Sequence, residues 1–382
     1  MERVHSLNFR RIEWCCQQVG ITPSQLASDV GISASTFEQA SQGADALTLG
    51  QLRRIANYFG RGVLFFLESS PADSDKIYTA QFRTLANQKP HLSPKLKQII
   101  QRAERQRAIY LSLREDLDHE DRPRFSPPNV SDLQPRVAAG VARAWLGLGT
   151  QQTFNEYRAA VESCGLLVFR SNGYNGKWQI PRDSPVLGFS LYDPRCPLIV
   201  VKKQAAETRQ TFTLMHELGH VLLHKMSSID DEADLYSGEG GESEANSFAG
   251  YLLVPDENLA EINDAERPQE ISQFDVWLEP QRTAWGVSGE VILRRLLDVG
   301  RLDEADYNSY RKWRIATLRP QEDTGVRMYR HREPKHIFGD TFVRTVLDAL
   351  NAHQISLAKA STYLDSLKIA DLHRLEQHYA DH

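Results

Sequence analysis

Two histidines and a glutamate form the pattern in this chain that could most directly carry out chemistry. They occur as His-Glu-Leu-Gly-His at positions 216–220, within a stretch predicted to be helical over 206–225. Residues four apart lie one above the other on a helix face, so both imidazoles can reach one metal ion. Glu217 lies beside them and can take a proton from the attacking water. The spacing predicts a zinc site with His216 and His220 as ligands and Glu217 as the catalytic base.

A catalytic zinc ion needs a third protein ligand and leaves its fourth position to water. The predicted helix over 242–254 offers two carboxylates near its start, Glu242 and Glu244. Residues two apart on a helix point about 200° away from each other, so only one of them can face the metal. Asn246 lies one turn beyond Glu242 on the same face and could hydrogen-bond a ligand from behind. We therefore predict Glu242 as the third ligand and keep Glu244 as the alternative.

Short strands and amphipathic helices are the elements that must position these residues. Apolar runs predict strands over 166–170, 186–192 and 198–202, and helical spacing predicts helices over 138–146 and 153–163. Residues 227–241, between the two metal-binding helices, are polar, acidic and glycine-containing, which predicts a loop. The expected fold class is mainly α with a small β-sheet (α+β).

The first 70 residues have the layout of a helix-turn-helix. Short helices are predicted over 8–68, with Thr22 as an N-cap, Pro23 at the first helical position and Gly31 ending that helix. The next helix, over 33–42, is the candidate recognition helix. Four polar residues there and in the preceding helix could read base edges through hydrogen bonds: Gln25, Ser35, Thr36 and Gln39.

The charge of this head leaves its partner open. The first 70 residues contain six arginines, no lysine and six acids, and the candidate recognition helix contains neither Lys nor Arg. Phosphate contacts by Lys and Arg supply most non-specific affinity for DNA. Operator DNA, bound weakly or by a homodimer, and a protein surface therefore remain alternative partners.

Four regions follow from the patterning along the chain. The first region is a helix-turn-helix domain over 1–70, and the second, over 71–136, consists of a charged helix (94–117) and a proline-rich linker. A metal-binding domain over 137–300 and a helical C-terminal region over 301–382 follow. In the last region, helices are predicted over 340–350 and 356–367. Nothing in that region carries chemistry by itself.

The composition excludes several function classes. The 382 residues carry a net charge of −5, which argues against a protein that coats nucleic acid by charge alone. No apolar run is long enough to cross a bilayer, and the N-terminus lacks a signal-peptide core. The four cysteines include no C-x-x-C pair, so neither a disulfide framework nor a cysteine metal site is expected. We expect a cytoplasmic protein without membrane contact.

Residues 208–224 and 242–255 together resemble the ImmA/IrrE family of metallo-endopeptidases, and 285–296 resembles a later helical segment of that family. The family combines HExxH with a downstream glutamate, and the first acid of its E-x-x-A-N-x-F-A segment matches Glu242. The resemblance implies a zincin-like fold and zinc-dependent peptide hydrolysis. It also implies a repressor-type protein as substrate, because phage and mobile-element regulators of this family cleave a partner repressor.

The head, 8–68, resembles the repressor-type (XRE/Cro-like) helix-turn-helix, a module known to be fused to ImmA/IrrE domains. It departs from that pattern at Ala40 and Ser41, where an aromatic residue and an acid are common.

We therefore expect an endopeptidase-type transcriptional regulator. Peptide hydrolysis also needs a group that stabilises the oxyanion, and the sequence leaves three candidates: Tyr192, His224 and Tyr236. His224, four residues after His220, could instead be a third histidine on the metal face, or a helix-end residue that caps carbonyls. The alternative function is a DNA-binding or antitoxin-like regulator whose metallopeptidase domain serves as a sensor or scaffold without significant proteolysis.

Overall fold

The computed structural model describes residues 3–19, 21–59, 61–72, 85, 88–89, 92–117, 123–149, 151–173, 176–237, 239–317 and 330–380. The chain divides into two compact units, Met1–Arg102 and Ala103–His382. Helices dominate both units and one small mixed sheet lies in the second, which confirms the predicted α+β class. The four domain limits given by the sequence patterning stay a prediction.

The first unit begins with four short helices and a 3-10 turn. These are α1 (Phe9–Val19), α2 (Pro23–Asp29), α3 (Ala34–Ser41), α4 (Leu49–Phe59) and the 3-10 turn Val63–Phe66. The side chains of Thr22 and Ser33 accept hydrogen bonds from the first turns of α2 and α3, as N-caps do. Leu26 and Phe37, from these two helices, are buried in the core of the unit. The helical layout is as predicted, and the identity of this unit as a repressor-type domain stays a prediction.

Helix α5 (Pro94–Leu117) begins in the first unit's range and ends in that of the second. The second unit adds twelve described helices to it. They are α6 (Pro135–Leu146), α7 (Phe154–Ser163), α8 (Glu207–Gly219), α9 (Gly240–Leu253), α10 (Asp256–Leu259), α11 (Phe274–Trp277), α12 (Glu279–Trp285), α13 (Gly289–Asp298), α14 (Glu304–Thr317), α15 (Glu333–Asn351), α16 (Leu357–Tyr363) and α17 (Ile369–Ala380). None of the described helices is long and apolar enough to cross a membrane.

The sheet has four short strands in the order β1-β3-β2-β4. They are β1 (Leu167–Arg170), β2 (Val186–Leu191), β3 (Leu198–Val201) and β4 (Ser228–Asp231). β1 and β3 run parallel, whereas β2 is antiparallel to both β3 and β4. The first three strands are buried along their whole length, which explains why they are apolar runs without alternation.

Helices cover both faces of this sheet, because successive side chains of a strand point to opposite faces. Val168 joins the core cluster that α8 and α9 build on one face. On the other face, Phe169 packs edge-to-face against Phe338 and Phe342 of α15, with ring centroids 5.3 and 5.7 Å apart. The C-terminal region, whose role the sequence leaves open, therefore completes the core around the sheet.

Two features of this unit differ from the prediction. The loop predicted over 227–241 contains β4, an edge strand with a single apolar residue, Ile229, and thus with no pattern long enough to recognise. The segment predicted as a linker has no regular structure over 123–134, as its prolines require, yet Val130 is fully buried in the core. Proline content identifies the absence of helix and strand, but it does not tell a free linker from a packed segment.

Candidate metal centre

Helix α8 carries the His-Glu-x-x-His pattern into the core. His216 and Glu217 are completely buried in its last turn, and His220 is 3% exposed at the point where the α-helix ends. The helix continues through one π-helical turn, His220–His224, and ends at Lys225, which has the left-handed backbone conformation. Such π-turns are rare in proteins as a whole, and those that do occur are frequently found at functional sites.

Four donor atoms from three elements converge beside this helix. Nε2 of His216 and Nε2 of His220 lie 3.1 Å apart. Oε2 of Glu242, from the first turn of α9, lies 3.3 and 3.4 Å from these two nitrogens. Oδ2 of Asp230, from β4, lies 3.4 and 3.5 Å from them. All four atoms lie within 4.8 Å of one another, and we call these four residues the metal group.

The metal group fits a bound cation in both spacing and chemistry. Around a tetrahedral ion with bonds of about 2.0–2.1 Å to nitrogen and oxygen, neighbouring ligand atoms are about 3.3 Å apart. Among the described residues, Oδ2 of Asp230 and Oε2 of Glu242 have no hydrogen-bond partner, although both atoms are buried. Buried polar atoms normally have partners, so their convergence on two imidazole nitrogens is the arrangement expected of a site for a divalent metal.

Asp230 is the member of the metal group that the sequence analysis missed. It is 1% exposed and lies directly opposite Gly188 in the β2–β4 register. Its other oxygen, Oδ1, accepts a hydrogen bond from the Ser228 hydroxyl at 2.9 Å. The one local signal for Asp230 is a carboxylate two residues after a serine, in the segment that connects the two metal-binding helices. The strand that carries it has only four residues and is too short to predict.

Glu242 and Glu244 are separated as the helix-face argument predicts. Glu242 joins the metal group, whereas Oε2 of Glu244 lies 3.0 Å from Nε2 of His224. Nδ1 of His224 in turn lies 3.0 Å from Nδ1 of His220. His224 is therefore neither a member of the metal group nor a cap of helix carbonyls. It connects a predicted ligand to a carboxylate.

The predicted support of Glu242 by Asn246 is wrong. The Asn246 amide instead donates to the carbonyl oxygens of Asp234 and Ser237, at 3.0 and 3.4 Å. Those residues belong to the turn after β4, so Asn246 fastens that turn to α9. A helical wheel places Asn246 on the correct face but cannot show that another segment of chain passes closer than Glu242.

The carboxyl group of Glu217 packs closely against β2 at Gly188. A Cβ added to Gly188 would lie 2.8 Å from Oε1 of Glu217, 2.8 Å from Cγ2 of Thr213 and 3.1 Å from the carbonyl oxygen of Val200. Glycine is therefore required for the helix to approach the strand at this point. Burial, followed by the negative charge of Asp230, raises the pKa of Glu217 well above its usual range.

The charges of the metal group stabilise one another in the metal-free protein. Burial opposes protonation of His216, but the neighbouring carboxylates of Asp230 and Glu242 outweigh it and raise the pKa of His216 to about 9. For Glu242, burial acts in the opposite direction and is also outweighed, so contacts with both histidines lower its pKa to about 2. A proton held by His216 near neutral pH therefore competes with a metal ion.

A pocket lined by the same two helices lies next to the metal group, although no member of that group lines it. Phe212 of α8 lines it, and its ring centroid lies 6.5 Å from that of His216. Asn246 and Gly250 of α9 line it one and two turns beyond Glu242. Four residues of helix rise about 6 Å, so the pocket begins within one turn of the metal group. Its far side includes two arginines of α13 and α14, Arg294 and Arg311.

The three oxyanion candidates differ in what the structure says of them. Both ring nitrogens of His224 face other side chains, which makes it unsuitable as a free donor. Tyr192 follows β2, and its backbone N–H donates to the Ser227 hydroxyl at 3.0 Å. The side chain of Tyr236 lies outside the described residues. The oxyanion role stays a prediction for these two tyrosines.

The polar residues predicted to contact DNA belong to the first unit, whereas the metal group belongs to the second. Gln25, Ser35 and Gln39 are exposed, and Thr36 is half-buried. The Thr36 hydroxyl lies 2.7 Å from that of Ser33, the N-cap of α3. Their contact with DNA stays a prediction.

Comparison with known proteins gives the same location for the chemistry. Residues 183–297 match the model of the IrrE N-terminal-like domain, peptidase M78. The chain is 36% identical over 83 residues to "Uncharacterized immunity region protein 2" of Bacillus phage phi105, a match that covers 21% of this chain and 52% of that protein. It is also 36% identical over 76 residues to "Radiation response metalloprotease IrrE" of Deinococcus radiodurans, covering 19% of this chain and 23% of that protein.

The chain thus spans about half of the phage relative and about a quarter of IrrE. The family model matches residues 183–297, which contain the metal group, so the resemblance to ImmA/IrrE metallopeptidases predicted from the two metal-helix motifs is confirmed for this part of the chain.

Proposed function

We propose that this protein is a zinc-dependent endopeptidase that regulates transcription by cleaving a partner repressor protein. The observation that carries the proposal is the convergence of His216, His220 and Glu242 beside the buried carboxyl group of Glu217. Imidazole nitrogens with carboxylate oxygens at tetrahedral spacing favour zinc over magnesium or calcium, which prefer all-oxygen sites.

His216, His220 and Glu242 would hold the zinc ion and leave its fourth position to water, and Asp230 would add a negative charge close to it. A bound zinc ion would supply a Lewis acid that polarises the scissile carbonyl and acidifies a water molecule. Glu217 takes the proton from the attacking water and passes it to the nitrogen of the leaving amine. Its raised pKa suits a group that must both accept and release a proton, and Gly188 leaves the space in which its carboxyl group can do so.

A polypeptide substrate is supported by the pocket that follows α8 and α9. An extended peptide advances about 3.3 Å per residue, so a side chain two or three residues from the scissile bond would reach the pocket beyond Phe212. The choice of a repressor as substrate rests on the family resemblance. The phage relative carries the name of an immunity region protein and the Deinococcus relative that of a radiation response metalloprotease.

Glu217→Gln tests the proposal. The full-length, zinc-loaded protein is incubated with a proteome-derived peptide library, and new termini are identified by mass spectrometry. The variant should retain zinc, because Glu217 is not a member of the metal group. Its rate of peptide cleavage should be at least about 10²-fold lower than that of the wild type. Glu239→Gln, which changes an exposed acid of the neighbouring loop, is the matched control and should cleave like the wild type.

The cellular counterpart first searches the neighbouring genes for a small repressor and then follows the level of that protein. Its level should fall when the wild-type protein is active and should stay constant with Glu217→Gln. If the variant retained the full regulatory effect, the scaffold function without proteolysis would be correct instead. Zinc content alone does not separate the two functions.

We also propose that the first unit binds operator DNA as a homodimer. Gln25, Ser35 and Gln39 are exposed along α2 and α3, where hydrogen-bonding side chains could reach base edges. Since α3 carries no Lys or Arg, one copy would have few phosphate contacts and little affinity. A mobility-shift assay with the DNA upstream of the gene, at low salt, tests this. Absence of any shift would favour docking of a protein by this unit.

A further inference from the structure

A second cavity, of about 370 Å³, lies between α7, the end of β1 and the start of α15. No member of the metal group lines it. Its charged and titratable lining includes four cations, two acids and one histidine: Arg158, Arg170, Arg332, Lys335, Glu162, Asp340 and His336. The cations outnumber the acids, so the lining carries a net positive charge although the whole chain has a net negative charge.

Both acids already have cationic partners. Oε1 of Glu162 accepts a hydrogen bond from Nε of Arg158 at 3.1 Å, and Oε2 accepts one from the backbone N–H of Thr341 at 3.2 Å. Asp340 lies 3.2 Å from Nζ of Lys335 and accepts a hydrogen bond from the Tyr379 hydroxyl at 2.7 Å. Neither carboxylate is therefore left to neutralise another cation.

Arg170 is the lining cation that forms no ion pair among the described residues, and the carboxylate charge that acts on it at longer range is that of the exposed Glu207. The residue is 6% exposed, and its Nε has no hydrogen-bond partner among the described residues. No carboxylate of the described chain lies within 4.0 Å of its guanidinium, and Nη2 faces Nδ1 of His336 at 2.7 Å. The ring of Phe154 lies 4.8 Å away. Burial, and then the positive charge of Arg170, lowers the pKa of His336 to about 3, so this ring is neutral.

An arginine side chain stays protonated in proteins, so its burial must be compensated by a negative charge. Arg158 makes the requirement stricter, because it is a second cation that lines the same cavity. We propose that the cavity binds a small anion whose phosphate or carboxylate group pairs with Arg170. Small-molecule sites commonly measure 300–1,000 Å³, so the cavity is large enough for a metabolite that carries this group.

The position of the site connects it with the metallopeptidase domain. Arg170 ends β1, which belongs to the sheet that carries Asp230 at its opposite edge. Lys335 and His336 belong to α15, which covers one face of that sheet. A bound anion would therefore hold α15 against the sheet, and its effect should be visible as stabilisation of the whole chain.

Thermal unfolding of the full-length, zinc-loaded protein tests this in buffers of equal ionic strength. The anions are chloride, inorganic phosphate, glycerol 3-phosphate and succinate. We expect Tm to rise by at least 3 °C, relative to chloride, with at least one of the last three. A rise with phosphate alone identifies the free ion, a larger rise with glycerol 3-phosphate identifies a phosphate monoester, and a rise with succinate alone identifies a carboxylate.

Arg170→Met should abolish the rise and should be at least as stable as the wild type in chloride, because it removes a buried, uncompensated charge. Arg195→Met is the control, since its side chain is 66% exposed and lies outside the cavity. If Arg170→Met does not fold, Lys335→Gln tests the proposal instead, and we expect it to bind the anion at least threefold more weakly than the wild type. Absence of any rise in the wild type, or a full rise in Arg170→Met, would overturn the proposal.

Discussion

Nδ1 of His224 lies 3.0 Å from Nδ1 of His220, and the far side of the same ring reaches Glu244. A carboxylate is thereby connected to a predicted metal ligand through one intervening imidazole. Partners of this kind fix which ring nitrogen carries the proton and so leave Nε2 free for the metal. The π-turn that spans these two histidines is the local structure that brings them together.

Loss of this connection should weaken metal binding without removing a ligand. We expect His224→Phe and Glu244→Gln each to lower zinc affinity by about 10–100-fold, because the His220 ring loses its orientation. Competition with a chromophoric chelator measures the affinity directly. Glu239→Gln, an exposed acid that touches neither histidine, should bind zinc like the wild type. Affinities within twofold of the wild type in both test variants would show that the connection has no role in metal binding.

Asp230 should strengthen zinc binding through its negative charge. Asp230→Asn keeps the size of the side chain but removes the charge of an oxygen that lies 3.4 and 3.5 Å from the two ligand nitrogens. We expect zinc affinity to fall by at least about tenfold, measured by the same competition. Asp132→Asn, an exposed acid outside the metal group, is the control. An unchanged affinity would show that the charge of Asp230 makes no contribution to zinc binding.

Helix periodicity is the part of this site that sequence can predict. It correctly separates Glu242 from Glu244, because both lie on one helix and their directions are fixed by its geometry. It cannot find Asp230 or Gly188, since both act across strand pairs and their role depends on which strand lies beside α8. It also predicts the wrong partner for the Asn246 amide, which donates a hydrogen bond to the carbonyl oxygen of Asp234 and not to the predicted metal ligand Glu242.

The same limit applies to the fold. Buried strands and capped helices carry local signals, as at Thr153 and Glu156, whose side chains form a capping box at the start of α7. The position of α15 against β1 depends on aromatic contacts between residues more than 160 positions apart, such as Phe169 with Phe338. No local pattern contains such a contact.

Gly188→Ala should impair catalysis while the metal group remains intact. The new methyl group would lie 2.8 Å from Oε1 of Glu217, so the carboxyl group must move or the strand must shift. We expect a destabilisation of about 1–3 kcal/mol and a loss of cleavage of at least tenfold, with zinc still bound. Gly140→Ala is the control, because it lies in α6 with no atom within 4 Å of the added Cβ. It should be neutral or slightly stabilising. Cleavage at the wild-type level in Gly188→Ala would show that Glu217 does not need this space.

His336 should make the protein sensitive to mild acid. Its pKa is lowered to about 3 in the folded protein by burial and by the charges of Arg170, Arg158 and Lys203. The unfolded chain, with a histidine pKa of about 6.5, binds more protons between these two values, so stability falls as the pH falls through that window. From pH 7 to pH 5 this group should remove about 1–2 kcal/mol.

Urea unfolding at pH 7 and pH 5 measures this contribution. His336→Gln keeps an acceptor for Arg170 but cannot be protonated, so its loss of stability between the two pH values should be smaller than that of the wild type by this amount. His353→Asn, which changes an exposed histidine, should lose as much as the wild type. Equal losses in the wild type and His336→Gln would mean that His336 is protonated as easily in the folded protein as in the unfolded chain. The ring could then no longer act as a neutral acceptor for Arg170, and its proton would add another cation to the cavity.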